Sequence, residues 1–359
     1  MIEPVPPKFS LLIPSYNRPD MIREATLSLV VNQRPDVEII IGDDASPRQA
    51  EIQVALQDLI ASGQVRFLAH AQNGGWSRNR NALVAAARGE WVILMGDDDR
   101  LKPGAVCRMR RWMGQRPGYD IYAFGYDIID SEGCFAYGRT APRPVVYRVG
   151  GGLAWEELFH MDAIQMWSHH PFTMAIRRSA ALANPFDAGA GIADDMLFQF
   201  RLLIRGGSIF VIPESLFEWR FAIDADPGYR NLSSDNSRSL AAHRQIWLLL
   251  LREPDLPPAV EALLRSPRWL RRFLKTPPSV ARRISARAAN GDAFEQGLAD
   301  PDLSVTQTVG ETTVEKLGKL VRVSRVFGWV HLLNVGRYFL ERHLHRSRRR
   351  ELANLRRAD

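Results

Sequence analysis

Cysteine is scarce in this chain, which has only Cys107 and Cys134 among its 359 residues. Two cysteines at this separation provide neither a disulfide framework nor the close spacing of metal ligands. The scarcity argues against a disulfide-stabilised scaffold and a cysteine-based metal site. It also favours a reducing compartment, so the simplest predicted location is the cytoplasm.

Long hydrophobic runs are missing too. A transmembrane helix needs roughly 18 or more consecutive apolar residues. The closest stretch, residues 326–340, is interrupted by His331, Asn334 and Arg337. Residues 1–4 lack the basic start and apolar centre of a signal peptide. The sequence therefore predicts neither a membrane span nor a signal peptide.

The common nucleotide-binding motifs are also absent. No G-x-G-x-x-G follows the first predicted strand, and no G-x-x-x-x-G-K-[ST] occurs in the chain. These absences argue against a nicotinamide dehydrogenase and a P-loop NTPase. The remaining candidate is a nucleotide site in which a metal ion holds the diphosphate.

Positive charge exceeds negative charge, with a formal net charge of +7. Acidic residues crowd the first half, whereas arginines crowd the region beyond Arg265. Such an excess suits nucleic acid, an anionic membrane or a phosphorylated substrate. No known nucleic-acid-binding module is visible, so a nucleic-acid partner is not expected.

Short apolar runs alternate with helical patterns through the first hundred residues. Predicted strands cover 9–14, 37–41, 65–68 and 91–95, and predicted helices cover 20–30, 49–62 and 77–87. Asp20 is the predicted N-cap of the first helix. The alternation predicts an α/β fold whose mostly parallel, Rossmann-like sheet is flanked by helices.

Polar clusters follow three of these strands, at residues 15–17, 43–46 and 97–99. Ligands of parallel sheets bind at the carboxyl ends of the strands, so these clusters are expected to share one rim. The aspartates at 97–99 repel one another unless a cation lies among them. Mg²⁺ or Mn²⁺, which prefer oxygen ligands and often share them with substrate phosphates, would suit this position. A solvated acidic turn before residues 102–104 is the alternative.

Together these motifs resemble family 2 glycosyltransferases, which are inverting nucleotide-sugar enzymes with the GT-A fold. The matching segments are IPSYNR at 13–18, GDDAS at 42–46, NGG at 73–75, RN at 80–81, RGE at 88–90 and GDDD at 96–99. The resemblance extends over about residues 8–220. It departs from the family at Gly96, where an acid is common.

The resemblance implies a nucleotide-sugar donor, with UDP or dTDP as the carrier, and Mg²⁺ or Mn²⁺ as cofactor. Asp98 is the expected metal ligand, with help from Asp97, and Asp99 supports them. Tyr16 is expected to stack on the base and Asp44 to accept from its N3–H group. The full set of expected nucleotide contacts is Pro14, Tyr16, Asn17, Arg18, Asp44, Gly75, Arg78, Arg80 and Asp97. For Arg78 and Arg80, solvated positions on a helix surface are the alternative.

A second acidic pair, Asp194 and Asp195, precedes the helical pattern at 196–203. Such a pair can simply cap a helix and complement its dipole. The resemblance implies instead that Asp195 is the catalytic base and that Asp194 supports it. Inversion at the anomeric carbon needs such a base, because the acceptor hydroxyl is a poor nucleophile.

Aromatic and histidine side chains lie between the metal motif and this acidic pair. Trp167, His169 and His170 are acceptor-site candidates, because aromatic rings pack on the C–H faces of sugars. Ordinary packing is the alternative for each of them.

The chain beyond the resemblance predicts a mainly helical extension. The predicted division is a GT-A transferase domain over 1–224, a helical extension over 225–300 and a basic amphipathic helical region over 301–359. An apolar stretch at 327–340 followed by arginines at 346–350 suits an interfacial helix on an anionic membrane. A packed helix with a solvated basic end is the alternative.

The predicted function is metal-dependent inverting sugar transfer to a glycan or polyprenyl-lipid-linked acceptor during cell-surface polysaccharide synthesis. The protein would then be cytoplasmic and peripheral on the inner face of the cytoplasmic membrane. A catalytically silent nucleotide-sugar binding protein and a membrane-surface scaffold are the alternatives. The presence of Asp98 and Asp195 favours the enzyme.

Overall fold

A computed structural model describes residues 6–129, 132–139, 145–148, 174–220, 245–254 and 256–266. These residues belong to one compact unit. The predicted helical extension beyond 266, the basic region over 301–359 and the acceptor candidates Trp167, His169 and His170 lie outside them. Those predictions therefore remain untested.

Within the described residues, ten strands form one mixed sheet. They are β1 (Phe9–Ser15), β2 (Val37–Asp43), β3 (Arg66–Ala69), β4 (Trp91–Leu94), β5 (Arg100–Leu101), β6 (Ile121–Ile129), β7 (Phe135–Arg139), β8 (Val145–Arg148), β9 (Met174–Arg177) and β10 (Ser208–Arg220). Eight of them lie side by side in the order β3-β2-β1-β4-β9-β6-β10-β5, while β7 pairs with β6 and β8 with β10.

Helices flank this sheet. They are α1 (Pro19–Val30), α2 (Gln49–Ala61), α3 (Trp76–Ala86), α4 (Ala105–Gln115), α5 (Arg178–Ala183), α6 (Asp194–Ile204), α7 (245–251) and α8 (Pro258–Leu264). A 3₁₀ helix, Ala188–Ala193, leads directly into α6. Each long helix buries an apolar face, as α1 does with Ile22, Ala25 and Leu29.

The first half of the sheet is parallel, as the sequence predicted. β1 pairs in parallel with both β2 and β4, and β2 pairs in parallel with β3. Every residue of β2 and β4 is buried, which explains the continuous apolar run of β4 and the isoleucines at 39–41 of β2. The carboxyl ends of β1, β2 and β4 therefore meet at one rim.

The second half of the sheet is mixed. β9 is antiparallel to both β4 and β6, and β5 is antiparallel to β10. β10 runs parallel to β6 but shifts register between Ile212 and Phe217, around Pro213. A proline has no amide hydrogen to donate, so its place at an irregularity of the ladder is expected.

One local prediction was wrong. Asp20 is not the N-cap of α1, because Arg18 holds the cap position and Pro19 begins the helix. Proline suits the first position of a helix, where its missing N–H group has no intrahelical partner to lose. Asp20 therefore lies within the first turn, where its charge complements the helix dipole.

No helix in the described part of the chain is long and apolar enough to cross a membrane.

Candidate active site

The three aspartates after β4 lie at the rim of the sheet, beside the end of β1. Asp97 accepts a hydrogen bond from the Ser15 hydroxyl at 3.0 Å and another from the Tyr16 amide at 3.3 Å. The Arg18 Nη1 atom lies 3.1 Å from an oxygen of Asp97 and 2.5 Å from an oxygen of Asp98. Two carboxylates therefore converge on one cationic atom.

Asp99 contacts the end of β10. Its carboxylate accepts from the Arg220 amide at 2.8 Å, and its relative exposure is 2%. The Arg220 guanidinium also donates to the Asp98 carbonyl at 2.7 Å and to Glu24 at 2.8 Å. Asp99 and Arg220 thus tie the acidic turn to the end of β10.

Gly96 is constrained by this arrangement. A Cβ atom at this position would lie 2.5 Å from a carboxylate oxygen of Asp99 and 2.9 Å from one of Asp98. The acid that the family often carries here would collide with the present positions of these two side chains. The present packing of Asp99 therefore depends on the absence of a side chain at position 96.

Burial makes the acidic turn electrostatically costly. It raises the pKa of Asp97 to about 6, although the Arg18 guanidinium opposes the rise. Burial also raises the pKa of Asp99 well above its usual range, and the charge of Asp98 adds to the effect. Additional positive charge beside these groups would favour their ionised forms.

The donor set fits a divalent cation that is shared with a phosphate ligand. Asp97 and Asp98 already place oxygens around one positive atom, that of Arg18. No three His, Cys, Asp or Glu side chains of the described residues form a complete metal cage. Mg²⁺-type sites in phosphate enzymes usually take one or two carboxylates and leave the remaining positions to water and substrate.

The turn after β2 holds the glycine-rich loop. Both oxygens of the Asp44 carboxylate accept backbone hydrogen bonds, from the Gly74 and Gly75 amides at 2.8 Å each. Gly75 has a φ of +79°, a conformation that favours glycine. Each carboxylate oxygen retains a second lone pair, so the predicted contact from Asp44 to a base remains a prediction.

Helix α3 is fixed against β2 by the residues that follow this loop. The Asn79 amide group donates to the Gly42 carbonyl at 2.8 Å. A Cβ atom at Gly42 would lie only 2.5 Å from the Asn79 side chain. The absence of a side chain at Gly42 therefore allows α3 to approach the sheet closely.

The acidic pair before α6 is joined to α3 by a buried ion pair. One Asp194 oxygen lies 2.7 Å from Arg80 Nη1, and the other accepts from the Ser77 hydroxyl at 2.7 Å. Arg80 and Asp194 are each only 1% exposed. The Arg80 guanidinium also lies 4.7 Å from the centre of the Trp76 ring. The alternative of a solvated Arg80 on the helix surface is therefore wrong, whereas Arg78 is exposed. The predicted contact of each arginine with the nucleotide stays a prediction.

Asp195 differs from its neighbour in its surroundings. It is half-buried, and one carboxylate oxygen accepts from the Met196 amide at 2.7 Å. Burial raises the pKa of Asp195 to about 7, and the charge of Asp194 adds to the rise, while Arg80 opposes it. A carboxyl group with a pKa near 7 is well suited to proton transfer at neutral pH.

Hydrogen bonds connect the two acidic regions through the polypeptide. The Asp44 amide donates to the Ser15 carbonyl at 3.0 Å, so the turns after β1 and β2 are joined. Ser15 contacts Asp97, Asp44 holds the amide of Gly75, and Ser77 contacts Asp194. The metal candidate and the base candidate are thus linked by one series of contacts that runs from the rim of the sheet through α3.

Other predicted nucleotide contacts lie at the same rim. Tyr16 is 48% exposed, so its ring is accessible for stacking. Asn17 is also exposed, with a φ of +59°, and its amide donates to the Ser46 hydroxyl at 2.8 Å. Pro14 is half-buried within β1. These positions are compatible with the predicted contacts but do not test them.

Sequence reasoning assigned no role to two serines. Ser15 and Ser77 bind Asp97 and Asp194. Ser15 lies in the polar cluster at 15–17, but its partner could not be read from the sequence, and a serine in a first helical turn such as Ser77 carries no distinguishing signal. Only the contacts, which span 82 and 117 positions, reveal their roles.

Solved structures define the class of fold. TarS from S. aureus, in complex with UDP-GlcNAc, is similar with a TM-score of 0.57 and 17% identity, covering 89% of this chain and 88% of TarS. The mannosyltransferase PcManGT from Pyrobaculum calidifontis, in complex with GDP-Man and Mn²⁺, has a TM-score of 0.51 and 16% identity, covering 92% and 90%. The fold is that of the GT-A glycosyltransferases.

The sequence profile of glycosyl transferase family 2 matches residues 10–182. The matched residues, which make up just under half of the chain, belong to this family. The predicted recognition and fold class are thereby confirmed.

Curated relatives include proteins of diverse bacteria. An uncharacterized protein of Mycobacterium tuberculosis is 27% identical over 75% of this chain and 84% of its own length. The succinoglycan biosynthesis protein ExoO of Rhizobium meliloti is 30% identical over 35% of each chain. A GalNAc(5)-diNAcBac-PP-undecaprenol beta-1,3-glucosyltransferase of Campylobacter jejuni is 30% identical over 35% of this chain and 40% of its own. The matches to these last two relatives span well under half of their length.

Proposed function

We propose that this protein is a metal-dependent, inverting glycosyltransferase that uses a UDP- or dTDP-sugar. The acceptor is a hydroxyl of a glycan or lipid-linked glycan in cell-surface polysaccharide synthesis. The observation that carries the proposal is the series of contacts that links Asp97, in the acidic turn, to Asp194, the neighbour of Asp195. The named functions of the Rhizobium and Campylobacter relatives support the acceptor class.

In the proposed site, Asp98 and Asp97 would hold a Mg²⁺ or Mn²⁺ ion, and such an ion would neutralise charge on the diphosphate leaving group. Tyr16 and Asp44 face the base, and the loop that ends at Gly75 encloses the nucleotide. Asp99 and Arg220 keep the acidic turn in place. The exposed Arg78 is available to the diphosphate, whereas Arg80 acts indirectly by holding Asp194.

Inverting transfer is a single in-line displacement. An acceptor oxygen forms a bond to the anomeric carbon while the bond from that carbon to the diphosphate oxygen breaks. The electron pair of the broken bond leaves with the diphosphate. Asp195 takes the proton of the acceptor hydroxyl, and Asp194 raises the basicity of Asp195 by its nearby charge. General-base assistance of this kind is typically worth about 10²–10⁴-fold.

A thermal-shift experiment on the full chain tests the nucleotide and metal assignments. UDP or dTDP should raise Tm more with Mn²⁺ than without it, because ligands that bind only the folded state stabilise it. GDP serves as the competing nucleotide. Asp98→Ala should abolish the Mn²⁺-dependent increment.

The matched control is Asp58→Ala, because Asp58 forms an exposed ion pair with Arg23 away from the acidic turn. This variant should keep the Mn²⁺-dependent increment. An undiminished increment in Asp98→Ala would contradict the metal assignment, and a preference for GDP would contradict the carrier.

A further inference from the structure

Arg18 occupies the position between the two proposed metal ligands. Its Nη1 atom lies 3.1 Å from Asp97 and 2.5 Å from Asp98. The two carboxylates are mostly buried, with side-chain exposures of 10% and 22%, whereas the Arg18 side chain is 36% exposed. A cation that belongs to the chain itself therefore balances the acidic turn.

The backbone around Arg18 is fixed, but its side chain has room to move. Arg18 forms the N-cap of α1, Pro19 begins the helix, and the Asn17 amide is held by Ser46. A long side chain on a fixed backbone can exchange partners by rotation about its own bonds. Its partial exposure leaves space on the solvent side for the guanidinium to occupy.

A divalent cation and the Arg18 guanidinium compete for the same oxygens. Two positive charges that share a carboxylate oxygen within a few ångströms repel each other strongly in a partly buried site. Metal binding by Asp98 therefore requires the guanidinium to withdraw. A diphosphate offers it a new partner, because guanidinium groups bind phosphate oxygens with paired hydrogen bonds.

We propose that Arg18 is a positioning residue that exchanges partners during donor binding. It holds Asp97 and Asp98 in the absence of donor, releases Asp98 to the metal ion, and then binds the donor diphosphate. The inference rests on the proposed function, because it takes Asp98 as the metal ligand. It predicts that metal and nucleotide bind cooperatively and that metal alone binds weakly.

Arg18→Gln should therefore have opposite effects on two affinities. The affinity for Mn²⁺ alone should rise, by roughly tenfold if one charge-assisted hydrogen bond is removed from competition. The affinity for UDP in the presence of saturating Mn²⁺ should fall by a similar factor, because the diphosphate loses a partner. A residue that merely stabilises the turn would not raise metal affinity when it is removed.

The experiment titrates Mn²⁺ into the full chain and follows free Mn²⁺ by electron paramagnetic resonance. UDP binding at saturating Mn²⁺ is then measured by calorimetry. Arg23→Gln is the matched control, because Arg23 lies on the same helix and its ion pair with Asp58 is exposed. It removes the same charge and should leave both affinities unchanged. Arg18→Lys keeps the charge without the planar fork, so its Mn²⁺ affinity should stay nearer the wild type.

Equal Mn²⁺ affinity in the wild type and Arg18→Gln would overturn the inference, as would undetectable Mn²⁺ binding by both. If Arg18→Gln does not fold, the inference fails unless Arg18→Lys weakens UDP binding at saturating Mn²⁺. The double variant Arg18→Gln/Asp98→Asn distinguishes failure of the inference about Arg18 from failure of the proposed function. If the double variant still binds Mn²⁺ as Arg18→Gln does, the metal lies elsewhere and the metal assignment itself is wrong.

Discussion

At the scale of single residues, two adjacent carboxylates have acquired different environments. Asp194 is almost fully buried and paired with Arg80, whereas Asp195 is half-buried beside it. Burial raises the pKa of Asp195, and the negative charge of Asp194, which is paired with Arg80, adds to the rise. Two acids whose environments push their properties apart are a common source of an acid–base group.

Asp195→Asn should abolish the proposed base without disturbing the nucleotide rim. We expect nucleotide binding to persist and the transfer rate to fall roughly 10²-fold or more. Binding is measured by calorimetry with UDP and Mn²⁺, and transfer by release of the nucleoside diphosphate. Near wild-type transfer, or a larger loss of rate in a correctly folded Asp194→Asn variant, would reject Asp195 as the base.

The pH profile offers a second test of Asp195. A base accepts a proton only when it is ionised, and burial raises the pKa of Asp195 to about 7. The transfer rate should therefore rise with pH through about 7 and level off above it, whereas an ordinary aspartate would already be ionised at pH 5. The rate is measured from pH 5 to 9 at saturating substrates. A flat profile over this range would contradict the assignment.

The same raised pKa predicts an effect on stability. The folded protein binds the Asp195 proton more tightly than the unfolded chain, so stability decreases as pH rises from about 4 to about 7. Above about pH 7 the Asp195 carboxylate is ionised in the folded state as well, so the folded state carries the full cost of burying that charge. Asp195→Asn should therefore raise Tm at pH 8 and leave it nearly unchanged at pH 4. Thermal unfolding at the two pH values checks this, and an equal shift at both would point to a packing effect instead.

At the scale of elements, α3 joins the nucleotide loop to the acidic pair. Its first two turns carry Ser77 and Arg80, which both bind Asp194. Asn79 of the same helix donates a hydrogen bond to the Gly42 carbonyl of β2. The helix therefore sets the distance between the rim of the sheet and the start of α6.

Removing Arg80 should be strongly destabilising. Arg80→Leu leaves the Asp194 carboxylate buried without its cation, which typically costs about 3–5 kcal/mol in the free energy of unfolding. Arg78→Leu is the matched control, because Arg78 is exposed on the same helix. Urea unfolding measures both. Arg80→Leu/Asp194→Leu should recover part of the loss, and additive losses would show that the two residues do not act as a pair.

At the scale of the whole molecule, the sheet topology assembles the site. β1 lies between β2 and β4, so the turns after all three strands become neighbours although they are far apart in sequence. The strand β10 then returns Arg220 to the same rim, where it binds Asp99. Parallel strands joined by helices always direct their carboxyl ends to the same side, which explains why the acidic groups converge.

The basic C-terminal region carries a prediction at this scale. Its apolar stretch and following arginines, outside the described residues, should bind anionic membranes. Each basic residue near such a surface contributes about 1 kcal/mol, and added salt weakens the attraction. The full chain should therefore sediment with anionic liposomes at low salt and be released at high salt. Neutral liposomes are the control. Absence of binding at low salt would favour a packed helix and remove support for a lipid-linked acceptor from the sequence.

The local elements of the first half followed from sequence because their signals are local. Strands β1, β2 and β4 are rich in apolar residues, and their observed ends differ from the predicted ones by no more than two residues. The first three helices show apolar residues at helical spacing. The mixed second half did not follow, because an antiparallel strand such as β9 is defined by its neighbours rather than by its own four residues.

Sequence by itself determined the family, the order of the βα units and the acids that line the rim. The tertiary structure alone decided which charges meet. Arg18 lies between Asp97 and Asp98, and Arg80 is buried against Asp194 across 114 positions. An isolated arginine in a sequence looks like a solvated cation, since nothing local specifies its partner. Burial and pairing arise only when the sheet brings distant turns together, because the free energy of a charge depends on what surrounds it.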